Sequence, residues 1–273
     1  MGGYITGIYN YCDYWCKRCP FTHRCRNFMD DTDSIRDVKP GELPDEDAAS
    51  GKFWDQLAAN LRFATIFGHT ENDLLYDDFD LEPDEDYELL SAKTENLTKK
   101  HPLIELSFQY MLETEKWLNS SSTDKALKEI AQEWIEDAGS SPYDKTDYEG
   151  KALEIKDLLE VVGWYYTLIR SKMRRAITGY HDEIVAGKRE PAAAIYPHFS
   201  DAAGTAKLVL VSIERSIAAW SGLLQRLKSE EGNIFKFLIL LQKMQRGLKK
   251  ALPDAEQFRR PGFDTGPNIF DEE

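Results

Sequence analysis

Cysteine is absent from most of this 273-residue chain, because all four cysteines lie between positions 12 and 25. Long apolar runs are absent too: the longest candidate, residues 234–241, is interrupted by Lys236. A membrane-spanning helix needs about 18 or more apolar residues in succession, so the sequence predicts no membrane span. The first residues also lack the basic and apolar segments of a secretory signal, and we therefore expect a soluble, cytoplasmic protein.

The chain has fewer basic residues than acidic ones. The chain has 34 Lys and Arg residues against 48 Asp and Glu residues, which leaves a formal net charge of −14. A field of that sign repels phosphate, which argues against nucleic acid and anionic membranes as partners held by bulk charge. Hydrophobic residues make up 42% of the chain and aromatic residues 12%, which is enough to build a folded core.

Familiar catalytic motifs are missing as well. The sequence contains no Gly-rich phosphate loop, no G-x-S-x-G elbow, no H-E-x-x-H helix and no dinucleotide fingerprint. None of the five histidines has a glutamate three residues before it, so the Glu-x-x-His pairs of ferritin-like di-iron bundles are absent. No substrate is indicated, and whether the protein is an enzyme stays open.

Composition divides the chain into four predicted parts. The first is rich in cysteine and aromatic residues, the second is acidic and contains Pro and Gly breakers, and the third has helical periodicity. The last has three prolines and no period. We predict a cysteine-rich metal-binding module, an acidic connector, a helical bundle and an extended C-terminal tail over residues 1–29, 30–51, 52–252 and 253–273.

The predicted bundle is all-α. Apolar residues recur at spacings of three and four, and no alternating strand pattern of useful length follows Lys52. Gly179 and Gly232 are interpreted as helix breaks. The fold class is a helical bundle of five to six helices with a small irregular N-terminal module, and the helices are predicted over residues 53–64, 102–118, 123–138, 148–177, 201–229 and 234–251.

The cysteines have the spacing C-x3-C-x2-C-x5-C. Thiolates are soft ligands that favour zinc, copper(I) and iron–sulfur clusters, and four of them complete a tetrahedral site or a cubane. The short successive gaps favour a [4Fe–4S] cluster, because ferredoxin-type runs enclose a cubane with similarly short gaps. The predicted metal and cofactor ligands are Cys12, Cys16, Cys19 and Cys25.

Two other interpretations of the cysteines remain. Zinc is the first, with His23 as an alternative ligand, although zinc fingers usually place two knuckles a dozen or more residues apart. The second is four reduced thiols without metal, or two disulfides. Disulfides fit poorly with an intracellular protein.

The first three cysteines also match the C-x3-C-x2-C spacing of radical S-adenosylmethionine enzymes. In that family an aromatic residue typically precedes the third cysteine, whereas Arg18 stands there in this chain. The family also has alternating strands and helices, and no such alternation follows Met29. The spacing alone therefore does not indicate that family.

Three glutamates have apolar neighbours on their predicted helices: Glu105, Glu160 and Glu214. A buried carboxylate needs a cation, a metal or a proton, since an isolated buried charge is costly. We expect ion pairs with Arg170, Arg174 or Arg215. The functional interpretation makes the three glutamates an acid–base or metal set in a bundle pocket.

A basic cluster lies near the end of the longest predicted helix and comprises Arg170, Lys172, Arg174 and Arg175. Positive charge complements the helix dipole there, and we expect these side chains to pair within the molecule. The predicted function is a soluble metal-binding protein with an iron–sulfur redox or electron-transfer role. The alternative is a structural zinc site on a helical module that binds a protein partner without catalysis.

Overall fold

A computed structural model describes four stretches of the chain, residues 3–29, 85–138, 145–185 and 200–264. Within them 84% of the residues are helical and none is in a strand, which confirms the all-α class for this part of the chain. The predicted acidic connector and the predicted helix over residues 53–64 lie outside the described residues.

Six long helices form the described body: α1 (Glu85–Lys99), α2 (Pro102–Leu118), α3 (Ser121–Ala138), α4 (Lys145–Val185), α5 (Asp201–Arg226) and α6 (Glu231–Ala251). The predicted bounds of α2 are confirmed at both ends. The bounds of α3, α5 and α6 lie within three residues of the predicted ones, and the short 3-10 helix Lys228–Glu230 joins the last two.

One predicted helix bound is wrong, and one helix was not predicted. Helix α4 continues through Gly179 to Val185 instead of ending there. A Cβ at Gly179 would lie 3.4 Å from the Ala202 side chain, an ordinary van der Waals contact, so this glycine faces α5 from within the helix and does not terminate it. Helix α1 was not predicted, because it follows an acidic stretch and only Thr94 and Thr98 among its described side chains are buried.

Helix α4 is the centre of the bundle. Gly179 lies beside Ala202 and Leu158 lies beside Gly222, so α4 and α5 run antiparallel. Helices α1 and α2 also pack on α4, while α6 packs on α5 and α2. Fully buried side chains on α4, α5 and α6 include Ile155, Leu159, Val162, Ile169, Ile213, Trp220, Leu241 and Met244.

The chain after α6 folds back as a 3-10 helix, Pro253–Glu256, and a turn at Gly262 with a φ of 77°. A buried ion pair of 3.0 Å between Arg260 and Asp264 closes this turn. We call residues 253–264 the C-terminal turn. None of the helices in the four described stretches combines the length and the apolar character needed to cross a bilayer.

Candidate functional site

The cysteine segment, residues 3–29, ends in a helical turn over residues 26–29 and contains three short 3-10 turns before it: Ile8–Tyr11, Cys16–Arg18 and Thr22–Arg24. A cysteine follows each turn directly: Cys12, Cys19 and Cys25. The backbone N–H of Cys19 donates to the Cys16 carbonyl at 3.2 Å and closes the tightest gap in the spacing. Backbone turns between successive ligands are what a loop needs to surround one point.

The four cysteines are thiols, and no disulfide joins them. Burial raises the pKa of the Cys12 thiol to about 11. A backbone hydrogen bond at Tyr14 opposes this shift, whereas the charges of Asp13, Cys16 and Cys25 add to it. Cys12 therefore holds its proton more firmly than a free thiol does.

Electrostatic proximity is not coordination. Across the described residues, no three His, Cys, Asp or Glu side chains converge as the ligands of a metal ion. Cys12 donates from Sγ to the Tyr9 carbonyl at 3.5 Å, and Cys19 Sγ accepts from the Phe21 N–H at 3.4 Å. The structure thus does not show the predicted metal-binding module, and the ligand assignment stays a prediction.

Asp13 anchors the cysteine segment to the bundle. Its carboxylate accepts a hydrogen bond of 2.6 Å from the Tyr165 hydroxyl of α4 and lies 2.5 Å from the Arg215 guanidinium of α5. Its backbone carbonyl accepts from the Trp164 indole N–H at 2.9 Å. Burial raises the pKa of Tyr165, and the Asp13 charge adds to that effect, so the phenol remains the donor. The residue beside Cys12 is therefore fixed to two helices at once.

An aromatic stack provides a second anchor. The Trp15 ring lies parallel to the Trp164 ring, with centroids 5.1 Å apart and an interplanar angle of 15°. The Arg18 guanidinium covers the Trp15 ring at 4.2 Å and forms ion pairs of 2.6 Å and 2.7 Å with Asp157 and Glu160. This stack fixes the backbone between Cys12 and Cys19 on the surface of α4.

A third anchor is a close approach between Tyr11 and α5. A Cβ at Gly204 would lie 2.3 Å from the Tyr11 ring, so only glycine leaves room for this contact. The Tyr11 ring also packs edge-to-face on the ring of Phe258 in the C-terminal turn, with the two centroids 4.8 Å apart. Phe21 meets Phe263 in the same manner at 5.3 Å. The C-terminal turn thus holds the cysteine segment against α5, and we call the contacts of Tyr11 with Phe258 and of Phe21 with Phe263 the clasp.

A cation approaches the loop between Cys12 and Cys16. Tyr14 in that loop has a φ of 57°, a left-handed conformation that is strained for a residue with a side chain. The Lys172 amine of α4 lies 4.9 Å from the centroid of the Tyr14 ring. Burial lowers the pKa of Lys172 and the neighbouring Arg175 lowers it further, whereas Cys12 and the Asp201 carboxylate raise it.

The expectation that three glutamates are buried is wrong for Glu105 and Glu214, whose side chains are exposed. The apolar neighbours of Glu105 on α2, Phe108 and Leu112, are themselves exposed, so they define no pocket. Glu214 accepts from the Gln245 side chain at 3.3 Å. In the described part of the chain these carboxylates form no metal-ligand group with one another.

Glu160 is paired, although with a partner that the sequence did not predict. It binds Arg18 of the cysteine segment instead of Arg170, Arg174 or Arg215, and its side chain is 39% exposed. Among the side chains that the structure describes, the buried carboxylate is Glu230, which accepts at 2.8 Å from both the Trp117 indole and the Asn233 amide. Sequence reasoning missed Glu230 because it lies between helices, outside any apolar stripe.

Two histidines form a separate polar cluster where α1, α2 and α4 meet. The rings of His101 and His181 are 5.7 Å apart, and Thr98 lies 3.2 Å from His181 Nδ1. His101 Nδ1 accepts the Leu103 N–H at 3.3 Å and so caps α2. Burial lowers the pKa of both imidazoles, and the charge of His181 contributes to the shift at His101.

Comparison of the chain with protein-family models, with curated proteins and with solved structures gives no match. The candidate site is therefore defined by the residues of this chain alone. Sequence reasoning identified the cysteines but missed the groups that hold their segment, chiefly Asp13, Trp164 and Gly204. One signal for Asp13 was present, since it is the only acidic residue before Met29 in a basic segment.

Proposed function

We propose that this protein is a metal–thiolate protein in which Cys12, Cys16, Cys19 and Cys25 bind a [4Fe–4S] cluster with a redox or electron-transfer role. The observation that carries the proposal is the organisation of the cysteine segment. Three of its backbone turns end at cysteines, and the loop between them is fixed to α4 and α5 by Asp13 and Trp15.

The donor chemistry fits an iron–sulfur cluster or zinc, because four soft thiols fall within 14 residues. Their arrangement fits less well: the thiols do not converge as metal ligands in the described residues, and burial raises the pKa of Cys12. Metal ligands must be deprotonated, so we expect binding to release protons and to draw the thiols together. The 3-10 turns are the part of the backbone that would move.

Two features support a redox role. Cys16 is exposed, and a centre that exchanges electrons with a protein partner needs an edge near the surface. Trp15, which precedes Cys16 in the sequence, stacks on Trp164, and the surroundings of a cluster tune its potential. When bound, the cluster would supply one-electron chemistry, while the protein would hold the ligands and exclude solvent.

A structural zinc site is the second candidate, and the clasp around the cysteine segment favours it. Contacts to α5 and to the C-terminal turn connect distant parts of the chain through this segment. Zinc would then stabilise the docked segment, and the helices would present a surface to a protein partner. In this case the free energy of metal binding contributes directly to folding.

Anaerobic purification followed by iron, sulfide and zinc analysis tests the proposal. A brown protein with about four irons and absorbance at roughly 400 nm supports the redox role. A colourless protein with one tightly bound zinc supports the structural role instead. A protein that binds neither metal after reconstitution with iron and sulfide or with Zn²⁺ would contradict both.

A further inference from the structure

Four polar side chains meet inside the bundle, and we call them the core hydroxyl cluster: Tyr110, Thr114, Ser216 and Trp220. Tyr110 and Thr114 are one helical turn apart on α2, and Ser216 and Trp220 are one turn apart on α5. Residues at this spacing lie on the same face of a helix. The Trp220 indole N–H donates to the Tyr110 hydroxyl at 3.0 Å and so joins the two faces.

The core hydroxyl cluster lies where four helices meet. Helices α2 and α5 each pack on α4 and on α6, so α2 and α5 face each other across the middle of these four helices. The side chains of all four cluster residues are 0% exposed. The Phe237 ring of α6 covers one side, with its centroid 4.5 Å from that of Trp220 and 6.4 Å from that of Tyr110. The cluster is therefore shielded from bulk solvent.

Two hydroxyls of the cluster are unpaired. No atom of the described residues forms a hydrogen bond with Thr114 Oγ1 or Ser216 Oγ. A hydroxyl can donate one hydrogen bond and accept two, and burying it unpaired costs free energy. The next serine on the same helix shows the contrast, since Ser212, one turn before Ser216, donates to the Leu208 carbonyl at 2.9 Å.

The chemistry of the cluster selects a small, neutral ligand. None of its four residues is charged, and an ion in such a site would be strongly disfavoured. Burial raises the pKa of the Tyr110 phenol to about 12. The Trp220 indole and the side chains of Ser216 and Thr114 oppose that shift, in agreement with their position around the phenol. A water molecule both donates and accepts, and internal waters typically bind about three buried polar groups.

We propose that the core hydroxyl cluster binds one internal water molecule, which bridges Thr114 to Ser216 and has the Tyr110 hydroxyl as its third partner. The bound water supplies hydrogen bonds to two hydroxyls that the protein itself leaves unpaired. It also connects α2 to α5 across the middle of the four helices. This site goes beyond the proposed function and does not depend on it.

Removal of the hydroxyls gives opposite results with and without the water. Thr114→Val keeps the shape of the side chain, so removing an unpaired hydroxyl should raise the melting temperature. If the hydroxyl binds the water, the same change should lower the melting temperature by roughly 2–4 °C, and this is the result we expect. The double variant Thr114→Val and Ser216→Ala should shift it by clearly less than the sum of the single shifts, because the water is lost only once.

Ser212→Ala is the matched control on α5. Its hydroxyl has its own partner in the Leu208 carbonyl, so its shift should add to that of Thr114→Val. A crystal structure of the wild type that shows ordered solvent is the direct measurement. We expect a water within about 3 Å of both Thr114 Oγ1 and Ser216 Oγ.

Three results would overturn the proposal. The first is a higher melting temperature of Thr114→Val. The second is additive shifts for Thr114→Val and Ser216→Ala, because additivity would show that the two hydroxyls act independently. The third is a crystal structure in which both hydroxyls bond to main-chain carbonyls of their own helices, as Ser212 does, with no water between them.

Discussion

The carboxylate of Asp13 and the phenol of Tyr165 are joined by a hydrogen bond of 2.6 Å across 152 positions of the chain. Asp13 is the residue after Cys12, and Tyr165 lies in the middle of the central helix. The bond therefore holds the cysteine loop against the core of the bundle. Arg215 contacts the same carboxylate, so loss of Asp13 affects both α4 and α5.

Replacement of Asp13 by Asn should loosen the cysteine segment. The change removes the charge that Arg215 and Tyr165 bind, and hydrogen bonds to charged groups contribute about 1.5–3 kcal/mol each. We expect faster proteolysis within residues 3–29 and altered tryptophan fluorescence, since Trp15 stacks on Trp164. The circular dichroism of the helical body should remain. Unchanged protease resistance would show that Asp13 is not an anchor.

Gly204→Ala should displace Tyr11. In an ordinary helix interior alanine is favoured over glycine by about 1 kcal/mol, yet here the new Cβ would lie 2.3 Å from the Tyr11 ring. We expect a lower melting temperature and a protease-sensitive cysteine segment. The matched control is Gly232→Ala in α6, where nothing lies within 4 Å of the added Cβ, and this variant should be equally or more stable. A stabilised Gly204→Ala would contradict the Tyr11 contact.

Cysteine replacement tests the ligand set. If the four cysteines hold the proposed metal, Cys16→Ser or Cys19→Ser should lose it and expose residues 1–29 to protease, because metal binding would contribute to the order of that segment. The helical body should keep its circular dichroism, since its core is formed by other residues. Metal analysis and limited proteolysis measure the two effects. A Cys16→Ser protein with full metal content and full protection would exclude a four-cysteine site.

Glu160 and Glu230 should differ sharply in their contributions to stability. The Glu160 pair with Arg18 is well exposed on both sides, so Glu160→Ala should lower the free energy of unfolding by less than about 1 kcal/mol. Glu230→Ala strands the buried Trp117 indole N–H and should cost about 2 kcal/mol. Denaturant titrations measure both. Equal effects would contradict the burial difference.

Stability should fall as the solution is acidified through the histidine range. The pKa values of His101 and His181 are lowered in the folded protein, so the unfolded chain binds more protons once the pH drops below about 6.5. The stability they contribute is complete above that pH and is lost below it. Protonation of His101 at Nδ1 also removes the acceptor that caps α2.

Melting temperatures between about pH 7.5 and pH 5 measure this effect. The double variant His101→Asn and His181→Gln should flatten the profile, and Asn preserves a capping side chain. The carboxylates with lowered pKa values, Glu95 and Asp264, lose their contribution only in more acidic solution, below this window. A profile that is equally steep in the double variant would assign the pH dependence to other groups.

Much of the bundle follows from local sequence. In α2 the residues Leu103, Ser107, Tyr110, Thr114 and Trp117 follow a four–three repeat, and all are buried. Pro102 fixes the first residue of that helix, so the start of α2 was predictable. Gly179 was misinterpreted because a glycine that faces a neighbouring helix has the same appearance in sequence as one that ends a helix.

The candidate site was predictable only in part, for a related reason. The cysteine spacing is local, whereas the groups that hold the segment lie on α4, on α5 and in the C-terminal turn. Whether a carboxylate such as Glu105 is buried depends on which face of its helix the rest of the bundle covers.

The contacts of Tyr11 with Phe258 and of Phe21 with Phe263 also have a consequence in time. About 240 residues separate Phe21 from Phe263, and ribosomes add roughly 5–20 residues per second, so the cysteines leave the ribosome roughly 12–50 s before their clasp exists. If the proposed site takes a metal, a metal inserted during synthesis would meet a cysteine segment that lacks these contacts and whose turns can close around it. A metal supplied later would meet a segment already fixed between α5 and the C-terminal turn.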